Sequence, residues 1–228
     1  MAREIADDRA PPLRFLLREG AAVAARVYRS FGSLDPRGAA DGQPLMVIPG
    51  FFASDRSTLG LQRALAQQGY RVSGWGLGRN LGARADTIDR MVERLEAFSG
   101  GRPAILVGWS LGGIYAREAA KQRPDLVAKV VTMGSPFSGD PRANNAWRLY
   151  ELVSRHPVDR PPVANEPAAK PPVPTLALWS RRDGIVAPAC ARGEGHESDR
   201  QLELDCSHMG FATSPRAFRA IAEAIRQF

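Results

Sequence analysis

Short apolar runs alternate with longer amphipathic stretches along this chain, and this alternation restricts the possible folds more than any other feature. Six runs have the length and residue types of strands, at 45–48, 70–74, 104–108, 129–133, 175–179 and 201–204. Four amphipathic stretches are predicted to be helices, at about 58–68, 87–99, 111–122 and 215–228. The runs at 104–107 and 130–131 are continuously apolar, which is typical of central parallel strands covered on both faces. The sequence therefore predicts an α/β fold, with a mostly parallel sheet of about six strands flanked by helices.

The segment 157–174 departs from this alternation because it contains seven prolines. Proline removes a backbone donor and fixes φ, so this segment is excluded from helices and central strands. We expect a proline-rich excursion over one edge of the sheet before the fifth strand. The whole connection 134–174 is long enough to cover part of a site at the ends of the strands.

The N-terminal region 1–43 is predicted to be a helical extension, followed by a single domain at 44–228. Within 13–31, one helical face carries Leu13, Leu16, Leu17, Ala21, Ala24, Val27, Tyr28 and Phe31. We favour a helix that packs this apolar stripe on its own domain. The alternative is an interfacial helix on a lipid surface, because arginines lie mostly away from the stripe.

Length and charge exclude several classes of protein. The 228 residues suit one domain with a sizeable core. Lys and Arg outnumber Asp and Glu by 31 to 24, but the arginines are scattered, which favours a solvated surface over nucleic-acid binding. No apolar run approaches the roughly 18–20 residues of a membrane span, and Glu4, Asp7 and Asp8 lie where a signal peptide would be basic. We therefore expect a cytoplasmic protein.

The chain has two cysteines, Cys190 and Cys206, which exclude a disulfide framework and a four-cysteine zinc site. A disulfide across the 15 residues between them would contribute about 3 kcal/mol. A reducing cytoplasm favours two thiols instead. Neither a metal-ligand pattern nor a dinucleotide-binding glycine pattern is found in the sequence, so no cofactor and no metal are expected.

The pentapeptide at 108–112, Gly-Trp-Ser-Leu-Gly, matches the G-x-S-x-G pattern of a nucleophile elbow. A strongly apolar strand leads into it and a helical stretch follows. Such a turn holds its serine in a strained conformation that only small flanking residues accommodate, and Gly108 and Gly112 provide that space. The strand, turn and helix together predict that Ser110 is a nucleophile.

A serine nucleophile needs a base and an orienting acid, which follow it in the order acid then histidine in this architecture. His208 directly follows the last predicted strand and is the candidate base. His156 and His196 have no preceding strand and are expected to be exposed and inert. Asp183 follows the 175–179 strand and is favoured as the acid over Asp205.

A tetrahedral intermediate also needs two backbone donors. The N–H of Leu111, directly after the serine, is the first. The second is expected from the loop after the first strand, where Gly50 permits a turn that aims the N–H of Phe51, or of Phe52, at the site. Candidate pocket residues are Phe52, Asn80, Trp109 and Met209. For Asn80, the alternative is that its side chain only satisfies backbone groups of its loop.

The order of strands, serine turn, Asp-Gly loop and His loop resembles the α/β-hydrolase superfamily. The chain is similar to bacterial triacylglycerol lipases and carboxylesterases over about residues 44–228, with further likeness at 48–51, 74–80 and 115–118. Many relatives carry a histidine before the glycine of the first loop, where this chain has Pro49.

The resemblance implies an α/β-hydrolase fold and assigns the roles of nucleophile, acid, base and oxyanion donors to Ser110, Asp183, His208, Phe51 and Leu111. The leading hypothesis is therefore a serine hydrolase that cleaves small-molecule or lipid carboxylic esters. An acyltransferase or a thioesterase would use the same residues. A non-catalytic binding module is the third hypothesis, and the presence of all three candidate residues argues against it.

Overall fold

The computed structural model describes residues 9–25, 41–163 and 166–228. Within these residues, six strands form one parallel sheet in the order β2-β1-β3-β4-β5-β6. They are β1 Pro44–Ile48, β2 Arg71–Gly74, β3 Ala104–Trp109, β4 Val127–Met133, β5 Thr175–Trp179 and β6 Arg200–Glu203. The predicted α/β fold and its six-stranded parallel sheet are confirmed, with strand ends displaced by at most two residues.

Eight α-helices are found in the described part of the chain. They are α1 Leu13–Ala25, α2 Asp55–Ala66, α3 Thr87–Ser99, α4 Leu111–Gln122, α5 Trp147–Ser154, α6 Pro188–Arg192, α7 Gly210–Thr213 and α8 Pro215–Gln227. Helix α2 begins three residues before its predicted start, where the Ser57 hydroxyl accepts the N–H of Ser54 (3.2 Å) and caps the first turn. None of these helices combines the length and the apolar character that a membrane span requires.

The apolar core lies on both faces of the sheet because successive residues of a strand point to opposite faces. Leu45 and Val47 pack on one face with residues of α2 and α8. Met46 and Ile48 pack on the other face with residues of α3 and α4. This two-sided burial explains why the central strands are continuously apolar in the sequence.

The strand order reverses at β1, which pairs with β2 on one side and with β3 on the other. The connections that follow β1 and β3 therefore leave the sheet in opposite directions. In open α/β sheets, ligands bind in the crevice that such a reversal opens at the carboxyl ends of the strands. The Gly50 loop and Ser110 both follow strands at this point.

The proline-rich connection packs against helix α4, on one face of the sheet. The buried guanidinium of Arg117 donates to the carbonyl oxygens of Pro167 (2.6 Å) and Ala168 (3.1 Å). Burial lowers the pKa of Arg117 to about 10. A proline-rich segment has few backbone donors of its own, and Arg117 satisfies its carbonyl groups from the helix below.

Of the predicted apolar stripe of helix α1, Leu16 is half-buried but Leu13 and Leu17 are exposed. Leu13 is 71% exposed and Leu17 is 79% exposed, whereas Glu19 is only 4% exposed. The prediction that these two leucines pack on the domain is therefore wrong. The stripe positions Val27, Tyr28 and Phe31 lie outside the described residues.

Candidate active site

Ser110 lies in a one-residue turn between the end of β3 and the start of α4, with φ 54° and ψ −124°. Its N–H donates to the carbonyl oxygen of Met133 on the neighbouring strand (2.9 Å), which holds the turn in place. The two flanking glycines are required by close packing, because a Cβ on Gly108 would lie 2.3 Å from the carbonyl oxygen of Gly112. A non-glycine residue at positive φ is strained, and such strain is common at functional sites.

Asp183 and His208 form a buried pair at the carboxyl ends of β5 and β6. The distance between Oδ2 of Asp183 and Nδ1 of His208 is 2.7 Å, and the residues are 1% and 2% exposed. The N–H groups of Ile185 and Val186 each donate to Oδ1 of Asp183 (2.8 Å), which fixes the carboxylate in its turn. The competing candidate Asp205 is exposed and pairs with an arginine at the surface instead.

Gly134, directly after β4, lies behind this pair. A Cβ at this position would be 2.9 Å from Oδ2 of Asp183 and 3.2 Å from Nδ1 of His208. Its backbone also adopts φ +54°, which favours glycine. Gly134 was not predicted as a site residue, although a glycine at the end of a central parallel strand is a signal for a close approach.

Two opposing effects act on the pKa of His208. Burial lowers this pKa, but the charge of Asp183, its hydrogen bond to the imidazole and the charge of Glu19 together raise it above the ordinary value. The indole Nε1–H of Trp109 donates to the backbone carbonyl of His208 (3.1 Å), and the two rings are 5.6 Å apart. Trp109, which directly precedes Ser110, therefore links the serine turn to the histidine loop.

The loop after β1 passes directly against the serine turn. A Cβ on Gly50 would lie 3.0 Å from the Cβ of Ser110. The N–H of Phe52 donates to the carbonyl oxygen of Asn80 (2.7 Å), so this amide is already used. Of the two candidate oxyanion donors in this loop, the N–H of Phe51 is therefore favoured over that of Phe52.

Asn80 is buried and supports this loop from below. Its side-chain amide donates to the carbonyl oxygen of Pro49 (2.9 Å), while its Oδ1 accepts from the N–H of Gly82 (3.2 Å) and from the hydroxyl of Tyr115 (3.4 Å). These contacts agree with the alternative in which Asn80 satisfies loop groups. Direct substrate contact is not needed to explain its burial.

A mostly apolar cavity of about 90 Å³ opens beside Ser110. Ser110, Leu111 and Phe51 contribute to its wall. The 134–174 connection supplies much of the remainder, including Pro136, Pro141, Ala146, Trp147, Tyr150, Val158, Pro161, Val163 and Pro167. Of the four predicted pocket residues Phe52, Asn80, Trp109 and Met209, none lines this cavity. The wall residues of the 134–174 connection were not predicted individually, because their positions over the site depend on tertiary packing.

The other histidines and the cysteines lie elsewhere. His196 is exposed as expected, but His156 is half-buried, with Nε2 3.2 Å from the carbonyl oxygen of Ala83. Cys190 and Cys206 are buried and are not joined by a disulfide. Among the residues that the structure describes, no group of three or more His, Cys, Asp or Glu side chains is arranged to hold a metal ion.

Comparison with known proteins assigns the fold of the chain to a family. A family model described as "alpha/beta hydrolase fold" matches residues 43–157, which is half of the chain. The chain is 36% identical over 115 residues to a pimeloyl-[acyl-carrier protein] methyl ester esterase of Aliivibrio salmonicida, covering 47% of this chain and 41% of the relative. It is 29% identical over 130 residues to a triacylglycerol lipase of Burkholderia plantarii, covering 52% and 34%.

The solved structures that resemble the fold include one reported for LipS and LipT, two metagenome-derived lipolytic enzymes. The TM-score is 0.61 at 17% identity, with 86% of this chain and 96% of that chain covered. At this identity the likeness concerns the fold alone. The chain spans about two fifths or less of the curated relatives described above.

Proposed function

Because the chain belongs to the alpha/beta hydrolase fold family, we propose that it is a serine hydrolase that cleaves carboxylic esters through an acyl-enzyme on Ser110. His208 is the general base and Asp183 orients it. The observation that carries this proposal is the buried 2.7 Å contact between Asp183 and Nδ1 of His208, at the same end of the sheet as the strained Ser110. A carboxylate on Nδ1 leaves Nε2 to accept a proton, as a serine nucleophile requires.

The reaction would proceed in two halves. In the first, Oγ of Ser110 attacks the ester carbonyl carbon while its proton moves to Nε2 of His208, and the imidazolium then protonates the leaving alcohol. In the second, a water loses its proton to His208 and attacks the acyl-enzyme, which releases the acid and restores the serine. The N–H groups of Phe51 and Leu111 stabilise the oxyanion in both halves. Both residues line the cavity beside Ser110.

The cavity supports an acyl group of apolar character and modest length. One water molecule needs about 10–15 Å³ of such space. The cavity of about 90 Å³ therefore has room for several groups of that size. Its wall is mostly aliphatic and aromatic, with proline from the 134–174 connection. Binding of an acyl chain against apolar walls is favoured by about 25 cal/mol for each Å² of apolar surface that is removed from water. We expect short to medium acyl chains to be preferred.

A panel of 4-nitrophenyl esters of increasing acyl length tests the proposed function, with the Ser110→Ala variant as the blank. The wild-type protein should hydrolyse the shorter members, and Ser110→Ala should retain its fold but lose this activity. Esters left intact by the wild type would refute the proposal. Hydrolysis by Ser110→Ala at the wild-type rate would show that Ser110 is not the nucleophile. An acyl thioester of matched length belongs in the same panel, because it forms the same acyl-enzyme.

A further inference from the structure

The carboxylate of Glu19, on helix α1, lies behind the candidate catalytic pair and accepts three backbone N–H groups. Its Oε1 accepts from Gly184 (3.0 Å) and from His208 (2.8 Å), and its Oε2 accepts from Met209 (2.9 Å). Gly184 directly follows Asp183 in the chain. One side chain thus connects the loop that carries the acid with the loop that carries the base.

The helix is packed closely enough for this contact to be specific. A Cβ on Gly184 would lie 2.5 Å from the backbone carbonyl of Phe15, so α1 approaches the acid loop through its backbone. The side-chain amide of Asn145 donates both to the carbonyl oxygen of Pro11 (2.9 Å) and to that of Gly184 (2.8 Å). Three elements that are far apart in sequence therefore meet at the acid loop.

We propose that Glu19 is a positioning residue, which holds the Asp183 loop and the His208 loop in the register that the 2.7 Å contact requires. This inference rests on the proposed function of the site. It also gives the N-terminal helix a role in the activity, since the candidate residues all lie in the 44–228 segment but their alignment depends on α1.

The chemistry of the three donors explains why a carboxylate is needed. An ionised carboxylate only accepts hydrogen bonds, through about four lone-pair directions, so it matches three converging N–H groups. Hydrogen bonds to a charged acceptor are about twice as strong as neutral ones. A glutamine of the same shape would turn an NH₂ group towards at least one of these donors. The two loops would then separate or rotate.

Glu19 also acts on His208 through its charge. The charged groups that act on this imidazole are Asp183 from the loop after β5 and Glu19 from α1, while Asp205 is exposed and paired with Arg182. Burial lowers the pKa of His208, and the charges of Asp183 and then Glu19 raise it. Neutralising Glu19 should therefore lower the pKa of the base.

The test compares Glu19→Gln with Arg18→Gln, a control at the preceding position, where the side chain is exposed. With 4-nitrophenyl butyrate, Glu19→Gln should reduce kcat by about 10- to 100-fold, because misplacing a reacting group by about 1 Å costs roughly 10²-fold. Its KM should stay within about twofold of the wild-type value. The acid limb of its kcat/KM profile should move to lower pH. Arg18→Gln should leave kcat, KM and the acid limb unchanged.

Several outcomes would overturn this role. One is a kcat of Glu19→Gln equal to that of Arg18→Gln. Another is a loss of kcat in Glu19→Gln without movement of the acid limb, because that loss would indicate only a smaller folded fraction. If Glu19→Gln does not fold, amide hydrogen exchange of the wild type decides instead: the N–H groups of His208 and Met209 should exchange slowly, and exchange at the unprotected rate would refute the contact. A wild type without esterase activity would refute the proposed function, which is a separate result.

Discussion

Replacing Gly134 with alanine should damage the candidate catalytic pair from behind without touching the substrate side. The added Cβ would lie 2.9 Å from Oδ2 of Asp183 and 3.2 Å from Nδ1 of His208, whereas ordinary contacts begin at about 3.4 Å. The carboxylate must therefore move by about 0.5 Å. This movement acts on the same oxygen that holds the imidazole at 2.7 Å.

The size of the effect follows from that displacement. Catalytic groups must stay within about 0.5 Å of their productive positions, and an error of about 1 Å costs roughly 10²-fold. A complete loss of the acid's function would cost about 10⁴-fold, which sets the upper limit. We therefore expect Gly134→Ala to reduce kcat/KM by about 10- to 100-fold. The positive φ at Gly134 adds a loss of about 1–2 kcal/mol in the free energy of unfolding.

The assay is the hydrolysis of 4-nitrophenyl butyrate together with urea unfolding curves, and the matched control is Gly100→Ala. Gly100 ends helix α3 at φ +63°, close to the +54° of Gly134, and a Cβ there would meet no atom within 4 Å. Both variants should lose stability through the positive φ, and Gly134→Ala should lose more because its Cβ also crowds Asp183, but only Gly134→Ala should lose activity. Equal kcat/KM values in the two variants would refute the reasoning.

Three further predictions concern the proposed chemistry. Asp183→Asn should reduce kcat by about 10⁴-fold, because it stabilises the wrong imidazole tautomer, while Asp205→Asn should stay within about twofold in the same kinetic assay. The kcat/KM of the wild type should rise with pH, since only the neutral imidazole accepts the serine proton; because the pKa of His208 is raised, the midpoint should lie above about 6.5 in a pH series. Trp147→Ala, which removes an aromatic wall of the cavity, should shift the preference among the esters towards longer acyl chains. An unchanged preference would show that this cavity does not bind the acyl chain.

Much of the fold was predictable because its signals are local. Continuous apolar runs identified β3 and β4, and the amphipathic period identified α3 and α4 with correct ends. The short helices α5, α6 and α7 were not predicted, since five or fewer residues give almost no period and α5 lies in a connection without a clear pattern. Their positions depend on the packing around the cavity.

The candidate site was predictable as far as chain order determines it. The serine turn has a strong local pattern, and Asp183 and His208 each follow a strand whose carboxyl end meets the same edge of the sheet. The topology then brings residues 25 positions apart to 2.7 Å. The cavity walls were not predictable, because the 134–174 connection takes its path from contacts such as those of Arg117.

The face by which α1 docks could not be read from the apolar period. A stripe with Leu13 and Leu17 predicts burial of these leucines, yet the tertiary structure buries the carboxylate of Glu19. The reason is polar: two loops present three unpaired N–H groups at one point, and burying such donors without an acceptor is costly. The sequence of the helix alone does not predict these donors, because they belong to loops far away in the chain.

The acyl-enzyme itself provides the most direct test of the central claim. The wild-type protein and Ser110→Ala are mixed with 4-nitrophenyl butyrate, quenched in acid within the first turnover and measured by intact-mass spectrometry, followed by peptide mapping. The wild type should gain the mass of one butyryl group on the peptide that contains Ser110, and Ser110→Ala should gain none. A butyryl group on any other residue, or turnover by Ser110→Ala at the wild-type rate, would contradict the assignment of Ser110 as the nucleophile.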